Sequence, residues 1–82
     1  MSNQNKILFS YFIFPSIHTV LKAEKLLKSH AVSHTIVPVP KAISSNCGVA
    51  VRVQPDEAIV LQATALLDKH QLKYKHYQNI KA

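Results

Sequence analysis

One thiol and one glycine stand next to each other in this 82-residue chain, Cys47-Gly48, inside the run Ile43-Ser44-Ser45-Asn46-Cys47-Gly48. A chain of this length carries roughly six glycines on average. Here the single residue free of Cβ constraints directly follows the single sulfur nucleophile. Glycine allows positive φ and close approach of another backbone, so the pair reads as a tight turn that presents a thiol. The competing reading is a buried apolar cysteine beside a turn glycine, because free cysteine is among the most buried residue types.

The other residue types capable of chemistry point away from common alternatives. Of the five histidines, His18, His30, His34, His70 and His76, only His30 and His34 are closely spaced, and no second cysteine accompanies Cys47. That pattern argues against a metal site, and the C-x-x-C of metal-carrying domains is missing. His30 and His70 fall where two helices should end, which suits the negative end of a helix dipole without any metal. The only arginine, Arg52, lies mid-strand, and no glycine-rich loop is present to cradle phosphate. A cysteine protease would need a third, orienting group. No cofactor is expected, and the chemistry left open is at most that of a carrier or a transferase-like protein.

Composition bounds the scaffold that must position Cys47. With 48% hydrophobic and 17% charged residues, the chain can bury one modest core, so residues 1–82 are expected to form a single domain with residues 1–5 flexible. One cysteine leaves no internal disulfide, which suits a reducing, cytoplasmic setting. The apolar stretch Ile7 to Phe14 is too short to span a bilayer, and no small-residue cleavage site follows it. A net charge of +6 raises nucleic acid as a partner. The lysines are spread along the chain with no recognised nucleic-acid motif, and Lys73-Tyr74-Lys75-His76-Tyr77 also reads as a strand with one solvated face. The charge is better read as steering towards an acidic protein partner, and a homodimer stays open.

An internal repeat organises the rest. A shift of forty residues superposes Pro15 on Pro55, Val20 on Val60, Leu21 on Leu61 and Ala23 on Ala63, then Leu26 on Leu66, Leu27 on Leu67 and His30 on His70. Each half reads as strand, proline, helix, short turn, strand. Lys6 to Phe14 is apolar on both faces, as a central strand should be. Pro15-Ser16 supplies a stop and an N-cap hydroxyl, and Ile17, Val20, Leu21, Ala23, Leu26 and Leu27 recur at helical spacing. Val32 to Val39, bounded by Pro38 and Pro40, should be an edge strand. Gly48 to Val53 is the third strand. Pro55-Asp56-Glu57 starts a second helix with acids at its positive end and an inner stripe of Ile59, Ala63, Leu66 and Leu67. Leu72 to Tyr77 is the last strand.

The expected fold is therefore α+β: a ferredoxin-like βαββαβ, antiparallel sheet order 4-1-3-2, two helices on one face. In that topology the first strand ends at the sheet edge where the third begins. Cys47 should then approach the turn Phe14-Pro15-Ser16-Ile17-His18, where free N–H groups and the helix dipole place about half a positive charge. A thiol in such a place has its pKa lowered, and a nearby imidazolium such as His18 would lower it further. Taken alone, His18 reads as an exposed helix residue and Ser16 as an ordinary N-cap.

The runs Phe14-Pro15-Ser16-Ile17-His18, Ala23-Glu24-Lys25-Leu26-Leu27-Lys28, Val37-Pro38-Val39-Pro40 and Ile43-Ser44-Ser45-Asn46-Cys47-Gly48 resemble the selenium/sulfur carrier protein-like family. Its pattern is an F-P-S-x-H turn, an A-E-K-L-L helix, a P-x-P strand end and an I-S-S-x-C-G loop. The similarity spans about Phe9 to Val53 and weakens through the second helix; Asn46 fills a variable position. The resemblance implies that Cys47 carries sulfur or selenium as a persulfide or perselenide between donor and acceptor proteins. The pocket for the terminal anion would be the Ser44 to Gly48 loop with the helix start: Ser44, Ser45, Asn46, Gly48, Ser16 and His18. The alternative is a non-catalytic ligand-sensing or protein-interaction module in which Cys47 is structural.

Overall fold

The computed structural model describes residues 8–41, 43 and 48–81, the last three by backbone alone. Along the chain run β1 (Leu8–Ile13), α1 (Ile17–Ser29), β2 (Thr35–Pro38), β3 (Val49–Val53), α2 (Glu57–Lys69) and β4 (Lys75–Lys81). The four strands form one antiparallel sheet in the order β2-β3-β1-β4. This is the expected 4-1-3-2 arrangement read from its other edge. Pro38 ends β2, an edge strand, where a missing N–H costs the ladder least.

Both helices lie on one face. Phe12, Val51 and Val53 from the central strands and Phe14, just past β1, pack with Val20, Ala23 and Leu27 of α1 and Val60, Ala63 and Leu67 of α2. The buried stripe is narrower than the sequence spacing suggests. Ile17 and Leu21 are 48% and 56% exposed, because positions 20, 23 and 27 define the inner line of α1 and 17 and 21 are rotated off it. In α2 the inner line is Val60, Ala63 and Leu67, while Ile59 and Leu66 are half-buried.

The face without helices is also apolar. Tyr11, Ile13 and Ala50 are buried there beside Phe9, Val37, Val39 and Tyr77. Ile43, from the loop between β2 and β3, joins them at 6% exposure. Arg52 lies over the Phe9 ring, 4.3 Å from its centroid, in cation–π contact.

The forty-residue repeat persists in the geometry. Ser16 and Asp56 are the N-caps and His30 and His70 the C-caps. The residues that follow, Ala31 and Gln71, take left-handed φ of 56° and 58°. The next N–H groups, of Val32 and Leu72, then donate back to Leu27 O and Leu67 O at 2.8 and 3.0 Å. Helices often end this way, but usually on glycine.

That ending moves two strand starts. β2 begins at Thr35 rather than Val32, and β4 at Lys75 rather than Leu72, because Val32 and Leu72 close the helix ends and pack on the core. β4 also runs past Tyr77 to Lys81, held by the pairs Leu8↔Lys81 and Phe9↔Ile80. Between Phe9 and Tyr11 the register slips by one, a bulge that sets Gln78 and Asn79 against Ser10.

Candidate functional site

The turn between β1 and α1 is built by Pro15 and Ser16. Ser16, extended at φ −154°, caps α1: its Oγ accepts from Thr19 N at 3.4 Å and lies 3.2 Å from Thr19 Oγ1. Its carbonyl accepts the first helical bond, from Val20 N, at 3.1 Å. Within α1 the N–H groups of Ile17 and His18 have no acceptor, as the first turn of any helix requires. No acid stands in this turn, whereas α2 begins with the Asp56 cap, whose Oδ1 accepts from Ala58 N at 2.9 Å, followed by Glu57. The positive end of α1 is thus left unneutralised by its own first turn, and that of α2 is not. His18 is exposed on the first turn of α1.

Opposite this turn lies the start of β3. The β1–β3 register runs Ser10↔Val53, Tyr11↔Arg52, Phe12↔Val51. β1 ends at Ile13 and β3 begins at Val49, so the turn into α1 and Gly48 lie at the same end of this antiparallel pair. Gly48 is exposed, at φ +85°, with none of the described residues within 4 Å of where a Cβ would sit. Among the described residues the glycine thus answers to its backbone angle and not to a close approach. Its carbonyl accepts from Val39 N at 3.2 Å, extending the β2–β3 ladder one step past Pro38↔Val49.

The segment joining β2 to β3 is thus held at its neck and again at Ile43. Ile43 is buried against Tyr11, Ile13 and Ala50, and its N–H donates to Pro40 O at 2.9 Å. In the sequence Ile43 stands only as the first residue of the Ile43-Ser44-Ser45-Asn46-Cys47-Gly48 run. The available signal was an isolated apolar side chain opening a polar run. Ser44, Ser45, Asn46 and Cys47 lie outside the described residues, so the expected cavity around the Cys47 sulfur does too. Of the expected site residues, the fold brings Ser16, His18 and Gly48 to the same end of the sheet.

The remaining histidines have local roles. His30 Nδ1 donates to Leu26 O at 3.1 Å within its own helix end. His34 Nδ1 donates to Val32 O at 2.8 Å, and its Nε2 lies 3.9 Å from Glu24. Among the described residues no three His, Cys, Asp or Glu side chains converge as metal ligands would. His76 stacks on Phe12 with centroids 4.6 Å apart, and its Nε2 is buried without a partner among the described residues. Burial therefore holds its pKa below the usual 6.5. Tyr74 is pushed up to about 12 by burial and by the hydrogen bond its hydroxyl donates to Asp68 at 2.9 Å.

No helix among the described residues is long and apolar enough to cross a membrane. Compared with known proteins, residues 10–78 match the family described as "Putative Se/S carrier protein-like", and so most of the chain is covered. No curated protein and no solved structure matches the chain.

Proposed function

This chain belongs to the Se/S carrier protein-like family, and we propose that Cys47 is the atom-carrying residue, holding sulfur or selenium as a persulfide or perselenide. Loading is an exchange without net oxidation. The Cys47 thiolate attacks the terminal sulfur or selenium of a donor persulfide or perselenide, and the bond to the donor breaks. The electron pair leaves with the donor thiolate. Delivery is the same step with an acceptor nucleophile attacking the atom on Cys47. The chain has no second thiol to expel the atom internally, so a loaded state persists until a partner arrives.

The observation that carries the reading is that β1, which leads into α1, ends at the same end of the antiparallel sheet where β3 begins after Gly48. Cys47 is bonded to Gly48, the residue that leads into β3 at that end of the sheet. Beside Pro15 is a helix end with two N–H groups that its own backbone cannot satisfy and no acid in the first turn. Those groups suit a thiolate, and equally the terminal anion of a persulfide. Ser44, Ser45 and Asn46 would complete the pocket, with Ser16 ordering the turn and His18 at its mouth. The proposed setting is the reducing cytoplasm, with donor and acceptor proteins as partners.

The test is the pH dependence of Cys47 alkylation. A thiolate held at the α1 start reacts with a midpoint below about 8.5, the ordinary thiol value, and His18→Ala raises that midpoint. An ordinary midpoint, unchanged by His18→Ala, would remove the physical basis of the carrier site and leave a structural cysteine.

A further inference from the structure

An open groove of about 460 Å³ runs between the outer flank of α1 and the turn joining α2 to β4, lined by Lys22, Lys25, Leu26, Ser29, His70 and Leu72. The α1 members recur at three- and four-residue spacing and so share one side of that helix. Leu26 and Leu72 are half-buried and form the apolar floor, while Lys22, Lys25, Ser29 and His70 are exposed at the rim. None of the chain's four carboxylates is at the groove. Glu24 faces His34, Asp56 caps α2, Glu57 stands in the first turn of α2, and Asp68 accepts from Tyr74. Two ammonium groups thus flank an apolar strip with no counter-charge among the lining residues.

We propose that this groove docks an acidic amphipathic segment of a partner protein, its apolar side chains on Leu26 and Leu72 and its carboxylates on Lys22 and Lys25. The charge complementarity is local, and the net charge of +6 reinforces it by steering an acidic surface inwards. A small organic anion would stay largely wetted in so open a groove, whereas ligand sites bury most of their occupant. Lys22 is six residues along α1 from Ser16, about 9 Å at 1.5 Å per residue, so a segment bound there brings its protein to the turn facing Gly48. The inference rests on the carrier reading only in naming that partner as the donor or acceptor.

The probe is a synthetic amphipathic peptide of glutamate and leucine, about 18 residues long so as to be helical in water, titrated into the ¹⁵N-labelled full chain. Shifts should concentrate on Lys22, Lys25, Leu26, Ser29, His70 and Leu72. The Lys22→Glu/Lys25→Glu double variant should bind about tenfold more weakly, and Lys41→Glu/Lys75→Glu, with the same charge change, should bind nearly as wild type. Equal weakening in both variants, shifts scattered over all lysines, or equal binding of a lysine–leucine peptide would overturn the proposal. So would a dimer in sedimentation that Lys22→Glu/Lys25→Glu dissolves, since a second copy would then be the occupant. Loading of Cys47 from a small-molecule persulfide should be unchanged in the Lys22→Glu/Lys25→Glu variant. If wild-type Cys47 does not load while the peptide docks, the carrier reading falls alone; if it loads and the peptide does not dock, the groove proposal falls alone.

Discussion

Replacing Gly48 by alanine isolates the backbone angle that leads into the third strand. At φ +85° an L-residue pays for a left-handed conformation, about 1–2 kcal/mol. Alanine also narrows the unfolded ensemble, which offsets about 0.4–1 kcal/mol. No steric term is added, because none of the described residues lies within 4 Å of the new methyl. The net loss is about 1 kcal/mol, or a fall in Tm of roughly 4–8 °C for a domain of this size. Urea unfolding followed by circular dichroism reads it as a lower midpoint at unchanged slope. D-alanine, introduced by chemical synthesis, prefers positive φ and should stabilise the chain instead. If L-alanine were neutral, or D-alanine as damaging as L-alanine, the positive φ or the open space beside Gly48 would be wrong.

Four further outcomes follow from the same geometry. Ala31→Gly and Gln71→Gly, both at left-handed φ, should each raise stability by about 0.5–1 kcal/mol in urea melts, the inverse of Gly48→Ala. His76→Phe keeps the stack on Phe12 and removes a buried unpaired nitrogen, so it should gain about 1 kcal/mol. Because burial lowers the folded pKa of His76, its neutral form is favoured in the fold, full stability is present above the unfolded pKa of about 6.5, and it is lost as pH falls. Wild type should therefore lose more Tm between about pH 7 and pH 5 than His76→Phe does. In ultraviolet titration one of the three tyrosines, the one lost in Tyr74→Phe, should ionise near pH 12. Ile43→Ala, at a buried anchor of the β2–β3 loop, should cost about 2–4 kcal/mol by thermal unfolding.

The architecture was legible because each local signal agreed with the fold. Pro38 marked an edge strand, Ser16 and Asp56 marked helix starts, and the forty-residue repeat carried the same punctuation twice. The helix ends were the weak point. Ala31 and Gln71 hold left-handed angles without being glycine, so no stop signal separated Val32 and Leu72 from the strands after them. The last strand is expected to stop at Tyr77, yet Gln78 and Asn79 lie opposite the bulge at Ser10, and pairing of Phe9 and Leu8 carries β4 on to Lys81. Burial of Ile43 on the helix-free face depends on a contact distant in sequence, with Tyr11 and Ile13, of which the only local trace is an apolar side chain opening a polar run. At the candidate site, Ser16 and the positive φ of Gly48 followed from residue type alone. That Gly48 lies at the same end of the sheet as the turn into α1 needed the sheet order.

The carrier claim is tested most directly by following one chalcogen atom on and off the protein. The chain is incubated with a cysteine desulfurase and cysteine, or a selenocysteine lyase and selenocysteine, freed of donor by gel filtration, weighed intact, and then exposed to an acceptor thiol. The account predicts a gain of one atom, about 32 or 79 Da, mapped to Cys47, stable after the donor is removed and lost to the acceptor. Cys47→Ser should fold and take up nothing. A wild-type chain that labels readily with thiol reagents yet never gains the atom would contradict the account and favour an interaction module with a bystander cysteine.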